Sequence, residues 1–531
     1  MKITLSNIRK GCRYLKHYGW KEFKIRLSEK REPDNISYRE WLEKRCDDTR
    51  EVEKIVLRTQ KIVRCDDLKV ALIVLDIEQN EIDSFTLESI QKQSVKPDKI
   101  VLINTVSDYV NELKEDFFVC ISNGTILNEH AIAQLLDAIL HKDKLTQSGV
   151  HWDRSISGAS LVYSDCDIEG NRPILKPDFS PHLLESYDYI SDIVIFDKEY
   201  YELWHKGDYK ICGENANIMH MPKILGSVKS KEINYLNVQP ANNGTPKVSI
   251  IIPNKDEISS LDLCLKSIAK STYTNYEVII VENNSTNEET FAFYDSINYL
   301  KPDNERMNIK VVKWESDTGF NYSSINNYGI QYATGEYIIL LNNDIEIITY
   351  DWIEKMLGFC QKVNVGIVGA KLYYPDDTIQ HAGIVVGVGG HARGIGANML
   401  TGIDRYDKTY FDKTNVVRDV SAVTAACLMI KKSVFDEVGG FEEYLSVAFN
   451  DVDLCLKVRK AGYLIVFNPN VEAYHYESKS RGQEDTEEKV RRFQTEIEYM
   501  RTEWNDILRY GDPYYNPGYS RVKNDYSLNG L

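Results

Sequence analysis

Short, nearly continuous apolar runs recur along the chain, at 68–75, 100–103, 248–252, 278–281, 337–341 and 463–467. Runs without polar alternation predict strands covered on both faces, as in a largely parallel sheet. Amphipathic stretches between them complete βαβ units. The pattern also repeats. Lys69-Val70 matches Lys247-Val248, Leu87-x-Ser89-Ile90 matches Leu265-x-Ser267-Ile268, and 100–103 matches 278–281, all at an offset of 178 residues. Further on, EDFFVCISN at 115–123 aligns with GEYIILLNN at 335–343 at an offset of 220. Each copy reads as a buried strand, an amphipathic helix and a second buried strand. The chain is therefore expected to hold two α/β domains on one plan, at 66–228 and 246–482, with a linker at 229–245. A basic helical arm at 1–65 and a C-terminal helix and tail at 483–531 flank them.

Composition narrows the function classes. A chain of 531 residues, 43% hydrophobic and 27% charged, has the makings of several folded domains. Its net charge of −16 argues against nucleic acid as a partner. The longest apolar stretches fall well short of the roughly 18–20 residues that span a bilayer, so neither a transmembrane nor a signal segment is predicted. The ten cysteines are scattered without a Cys-x-x-Cys pair, which reads as reduced thiols in a cytoplasmic protein. Residues 1–31 break the trend, with ten Lys/Arg against Glu22 and Glu29. Tyr14, Tyr18 and Trp20 lie among those charges. Two readings stand side by side: a basic amphipathic helix on an anionic membrane surface, making the protein peripheral at the inner face of the cell membrane, or a helix packed on the acidic body of the same chain. A second helix is expected from Ser37 towards Leu57.

In open, mostly parallel sheets, ligands bind beyond the carboxyl ends of the strands. That rule selects Pro253-Asn254-Lys255-Asp256, Glu282-Asn283-Asn284-Ser285 and Asn342-Asn343-Asp344-Ile345-Glu346. Any one of these alone fits capping or turn chemistry; three in sequence order point to a polar rim. No Gly-x-Gly-x-x-Gly or Gly-x-x-x-x-Gly-Lys segment follows the first strand, so a dinucleotide site and an ATP-binding P-loop are not indicated. Residues 387–396 (GVGGHARGIG) read as a mobile loop or lid. Asp451 and Asp453 lie in the first turn of an amphipathic helix, where carboxylates complement the helix dipole or serve as a general base. His475, paired with Asp344, would make an O/N site suited to Mn2+ or Mg2+. The first copy has Ser122-Asn123-Gly124 where the second has Asn342-Asn343-Asp344. Glycine holds no metal, so the first domain reads as a scaffold or acceptor-binding unit.

Together these residues resemble the bacterial family 2 glycosyltransferases with the GT-A fold, specifically the two-module group that builds O-antigens, rhamnans and other surface polysaccharides. The likeness rests on VSIIIPNKDE, YEVIIVENNSTNEET, GFNYSSINNYGIQYATGEYIILLNND, VGAKLYYPDDTIQHAGIVVGVGG, VSAVTAACLMIKKSVFDEVGGFEE, AFNDVDLCLKVRKAGY and YHYESKSRG, with DPYYNPGYS in the tail. It implies two tandem GT-A-like, Rossmann-like domains with mixed, mostly parallel sheets. It also implies a nucleotide-sugar pocket at Pro253, Asp256, Glu282, Asn283, Asn342 and Asn343, with Glu282 where an aspartate is usual. Asp344 and His475 would hold a divalent cation, Asp451 would be the catalytic base, and Asp453 would either support the site from behind or contact the acceptor. The implied reaction is inverting transfer from a UDP- or dTDP-sugar to a hydroxyl of a glycan or lipid-linked glycan. A sugar nucleotidyltransferase is the competing enzyme, but PNKDEISS makes a poor triphosphate loop. A non-catalytic assembly protein is the competing non-enzyme.

Overall fold

The computed structural model describes Leu15, Trp20 and residues 36–530, apart from 46–48, 77–80, 104–112, 141–158, 207–216, 231, 302–304, 316–318, 390–393 and 477–485. All but two residues of the basic arm 1–31, and the centre of the glycine-rich stretch, thus lie outside the described residues. The chain forms two compact units.

One unit comprises Asp34–Leu236, Pro513–Ser520 and Leu528–Leu531. Its sheet runs in the order Lys99–Leu102, Val70–Leu75, Phe117–Ser122, Ile193–Asp197, Leu161–Ile168, Ile218–Val228 and Ile126–Leu127, with Arg172–Ile174 paired to Leu161–Ile168. The first three strands are parallel to one another. Ile193–Asp197 runs antiparallel to both its neighbours, and Leu161–Ile168 pairs parallel with Ile218–Val228. The core gathers Val70, Leu72, Val74, Val119, Ile121, Leu135, Leu136 and Ile195. One expectation fails here. Residues 100–103 read as a buried strand, but Lys99–Leu102 is the sheet edge, and Ile100 and Leu102 are each 40% exposed. The apolar run alone does not say whether a further strand covers it.

The other unit contains Asn237–Asp512 and Arg521–Ser527. Its sheet runs Ile309–Trp314, Tyr276–Asn283, Val248–Asn254, Tyr337–Leu341, Cys427–Lys431, Val365–Tyr373, Leu464–His475 and Ile345–Ile347. The first four strands are parallel. Cys427–Lys431 is antiparallel to both neighbours, and Val365–Tyr373 is parallel to Leu464–His475. Here Ile309–Trp314 takes the edge, so Tyr276–Asn283 is buried throughout. Ile250 sits between Val278 and Ile339 in register, which explains a strand that is apolar on both faces. On one face, helices Ile258–Ile268 and Trp352–Cys360 contribute Leu261, Leu265, Ile268, Trp352, Met356 and Phe359 to the core. Each fully buried side chain of this kind is worth about 1.5–3 kcal/mol. Helix Tyr322–Ile330 comes so close to the sheet that a Cβ at Gly329 would lie 2.5 Å from Val281 and 2.8 Å from Ile251. The glycine-rich 387–396 stretch joins the two antiparallel strands Ile384–Val386 and Gly396–Asn398. No described helix is long and apolar enough to cross a membrane, and no disulfide forms among the described cysteines.

Candidate active site

Strands Val248–Asn254 and Tyr276–Asn283 end side by side, with Asn254 opposite Glu282. The polar groups there bind one another. Tyr294 donates its hydroxyl to Glu282 Oε2 at 2.6 Å and accepts from Asn254 Nδ2 at 2.9 Å. Ser285 donates both its N–H and its hydroxyl to the same carboxylate. Glu282 and Asn283 are buried, and Pro253 is half-buried. Asp256, in the left-handed region at φ +55°, accepts the backbone N–H groups of Thr286 and Asn287 at 2.9 Å each. Burial opposes its ionisation, but those N–H groups and the hydroxyls of Thr286 and Thr290 hold it below the usual carboxylate range. Asp256 thus gathers the N–H groups that lead into helix Glu288–Ser296, the capping role open to it on sequence grounds.

The next strand carries the rim inwards. Asn343 Nδ2 donates to Asn254 Oδ1 at 2.6 Å, tying the two strand ends together. Ile345 pairs antiparallel with His475, which sets the Asp344 carboxylate 3.1 Å from His475 Nε2. Nδ1 of the same ring lies 2.7 Å from Gln380 Oε1, and Asn342 Nδ2 lies 3.3 Å from Nε2. An amide oxygen at Nδ1 requires Nδ1–H to donate, which leaves the Nε2 lone pair facing a carboxylate oxygen. Two acceptors at that distance repel unless a proton or a cation lies between them. The O/N pair therefore fits two positions in the shell of a divalent ion; no cluster of three or more His, Cys, Asp or Glu exists among the described residues. Glu346 accepts from the Tyr476 hydroxyl at 2.6 Å.

Beside this rim opens a cavity of about 240 Å³. Asn342, His475, Asn450 and Asp451 line it, with Gln380 and His381 among the other polar residues of its wall. Asp451 opens helix Asn450–Lys460, whose preceding residue, Phe449, is held at φ +63°. A bulky residue in that conformation costs about 1–3 kcal/mol, so the surroundings must enforce it. Asp451 Oδ1 accepts the N–H of Val452 at 2.8 Å.

The structure thus brings Asn342, His475 and Asp451 to one cavity and sets Asp344 against His475. Asn343 adjoins through Asn254, while Pro253, Asp256, Glu282 and Asn283 lie at the neighbouring strand ends. Asp453 is not brought to the cavity. Residues two apart on a helix face nearly opposite ways, and Asp453 is fully buried, ion-paired with Lys457 at 2.8 Å and accepting from Trp504 Nε1 at 2.9 Å. Burial pushes its pKa up, against the pull of Lys457 and Trp504. Sequence reasoning also missed Gln380 and His381, whose partners lie on distant elements. Burial pushes the His381 imidazole down to about 4. Its Nδ1 bonds Asn398 Oδ1 at 2.6 Å, and Nε2 accepts the N–H groups of Gly383 and Thr424 at 3.3 and 3.4 Å, so the ring is a neutral wall residue.

Comparisons with known proteins agree with this architecture. Residues 249–439 match the family model described as Glycosyl transferase family 2. An uncharacterised protein, y4gI, from Sinorhizobium fredii is 43% identical over 310 residues, covering 58% of this chain and 32% of the relative. The O-antigen biosynthesis protein RfbC of Myxococcus xanthus is 29% identical over 477 residues, covering 78% of this chain and 34% of the relative. The matched region spans about a third of the length of each of these relatives. Among solved structures, GalNAc-T7 with UDP, GalNAc and Mn2+ aligns at 16% identity and a TM-score of 0.38, covering 50% of each chain.

Proposed function

Because this chain is a family 2 glycosyltransferase of the GT-A type, we propose that its second unit transfers a sugar, with inversion, from a UDP- or dTDP-sugar to a hydroxyl of a lipid-linked surface glycan. The observation that carries the reading is one cavity lined by Asn342, His475 and Asp451 together. In this reading the donor diphosphate lies along Asn342, Asp344 and His475, with the nucleotide towards Pro253, Asp256, Glu282 and Asn283. Mn2+ or Mg2+ held by Asp344 and His475 would neutralise the leaving diphosphate. Asp451, half-buried in the wall of the same cavity, takes the proton of the acceptor hydroxyl as its oxygen bonds to the anomeric carbon. The bond from that carbon to the diphosphate oxygen breaks, and inversion follows from attack on the face opposite the leaving group. His381, neutral and with both ring nitrogens engaged by the protein, contributes shape to the wall.

The surface-glycan acceptor is supported by the name of the Myxococcus relative. The first unit serves as a scaffold or acceptor-binding module, and the basic arm 1–31 holds the protein at an anionic membrane surface. A donor-hydrolysis screen with UDP-, dTDP- and GDP-sugars in Mn2+ tests the reading. Slow release of one nucleotide, lost in Asp344→Ala, is the expected result. No release from any donor, with no donor binding by calorimetry, would favour a non-catalytic assembly role.

A further inference from the structure

The segment that carries Asp451 is gripped from two sides. From one side, helix Tyr322–Ile330 engages it at its N-terminus: the Tyr322 N–H donates to Ser446 O at 2.8 Å, and the Ser323 hydroxyl to Leu445 O at 2.6 Å. From the other side comes helix Glu487–Glu503, which lies beyond the residues matched by the family model. Its Glu496 is fully buried, and its carboxylate gathers three donors from consecutive residues. The Ser446 hydroxyl and the Val447 N–H reach Oε1 at 3.1 and 3.0 Å, and the Ala448 N–H reaches Oε2 at 3.3 Å. Val447 and Ala448 themselves line the cavity. One turn earlier, Phe493 stacks on Phe449 with ring centres 5.6 Å apart. Just past the helix, Trp504 holds Asp453.

The left-handed Phe449 stands directly between the residues held by Glu496 and the Asn450-Asp451 pair. A bulky residue keeps such a conformation when its surroundings over-determine it, and here the ring stack on one side and the three-donor clamp on the other do so. Burying a carboxylate is costly unless its acceptor sites are filled, and the three donors fill them. Arg492 adds an ion pair to the same carboxylate, with Nε 3.8 Å from Oε2.

We infer that Glu496 and Phe493 are positioning residues: helix Glu487–Glu503 is a clamp that fixes the 446–451 backbone and thereby aims the Asp451 carboxylate into the cavity. This rests on Asp451 acting as the base, and the test separates the two ideas. Hydrogen exchange on the full chain, without ligand, compares wild type with Glu496→Ala, Glu496→Gln and Phe493→Ala. Glu496→Ala should speed exchange of the 446–451 amides at least tenfold while strands Val248–Asn254 and Tyr337–Leu341 keep their protection. Glu496→Gln, which retains an acceptor oxygen, should recover part of it. With the donor found by the hydrolysis screen and its acceptor, Glu496→Ala should lose at least tenfold in kcat for transfer at unchanged donor KM, while slow donor hydrolysis by water continues. Unchanged exchange at 446–451 overturns the clamp. So does a fall in hydrolysis equal to the fall in transfer, which marks general damage to the site. If Asp451→Asn transfers normally, the base assignment fails, and exchange alone then decides whether the clamp exists.

Discussion

The two units share one strand plan and differ in what closes it. Val70–Leu75, Phe117–Ser122, Ile193–Asp197, Leu161–Ile168, Ile218–Val228 and Ile126–Leu127 follow the order and directions of Val248–Asn254, Tyr337–Leu341, Cys427–Lys431, Val365–Tyr373, Leu464–His475 and Ile345–Ile347. In the second unit the last short strand pairs Ile345 with His475, and Asp344 meets the imidazole. In the first, Ile126 pairs with Ser227, and the turn before it is Asn123-Gly124-Thr125. Lys229 lies so close to Gly124 that a Cβ there would come within 2.6 Å of its side chain. By register, Ser227 stands where the other unit has His475, and Thr125 where it has Asp344. The sheet is held by its buried apolar runs, so the strand ends are free to gain or lose chemistry without changing the plan.

The sharpest way to test that division is Asp451→Asn. It should lower kcat for transfer by about 10²–10⁴-fold, the usual worth of a general base, with donor binding retained. A loss below tenfold would remove Asp451 from the chemistry and level the two units.

Next in size is the buried network of the first unit. His220 lies between Asp165 at 2.8 Å and Asp178 at 3.2 Å, while Asn516 donates to Asp165 at 2.9 Å and Lys176 pairs with Asp192 at 3.1 Å. These charges satisfy one another, so they read as structure. Asp165→Ala should destabilise this unit by about 3–5 kcal/mol, since it strands a buried partner; unfolding in denaturant measures it, and a change under 1 kcal/mol would break the reading. Burial alone would lower the His220 pKa, but the two carboxylates raise it to about 9. Its unfolded value is about 6.5, so its stabilisation is complete below that pH and is lost as pH climbs through about 9. The second unit responds at the other end. Burial opposes ionisation of Glu277, yet Lys247, Ser249 and Thr334 bring it down to about 2. Its contribution is complete above about 4.3 and fades as pH falls towards 2. Melts from pH 4 to 10 should therefore soften the first unit under alkali, an effect that Asp165→Ala removes.

What could be seen beforehand divides along physical lines. Unbroken apolar strands followed by polar residues are local patterns, so the parallel half of each sheet and the Asn342-Asn343-Asp344 turn were legible. The antiparallel half was not, because pairings such as Ile345 with His475 join residues 130 apart through no local signal. Exposure of Lys99–Leu102 likewise depends on what lies beside the strand. Of the two readings of Asp453, its burial beside Trp504 leaves the supporting one, because helix rotation turns it away from Asp451. Gln380 and Glu496 act through partners on distant elements, and their own neighbours in sequence say nothing of them.

Gln380 gives a smaller effect. Replacing it with Leu removes the acceptor that fixes His475 Nδ1–H, and a ligand's hydrogen-bond partner of this kind is worth about 10–100-fold in metal affinity. Calorimetry of Mn2+ binding with UDP as the probe should register that loss in Gln380→Leu. Equal affinity in the two proteins would mean that the ring is oriented by strand pairing alone.

The smallest effect asks whether the first unit's turn is built around Lys229 or merely lies beneath it. Gly124→Ala places a Cβ at φ +92°, 2.6 Å from Lys229 Cδ. Gly170→Ala makes the same kind of demand at φ +72° with nothing within 4 Å. Left-handed strain should cost about 1–2 kcal/mol at either position. The difference between the two variants then isolates the lysine contact. Lys229 is 63% exposed along its side chain and holds Asp83 at 3.0 Å from a flexible stem, so it should swing aside and keep the two costs close. A much larger loss at Gly124, relieved by Lys229→Ala in the same chain, would show that the lysine is locked over the turn.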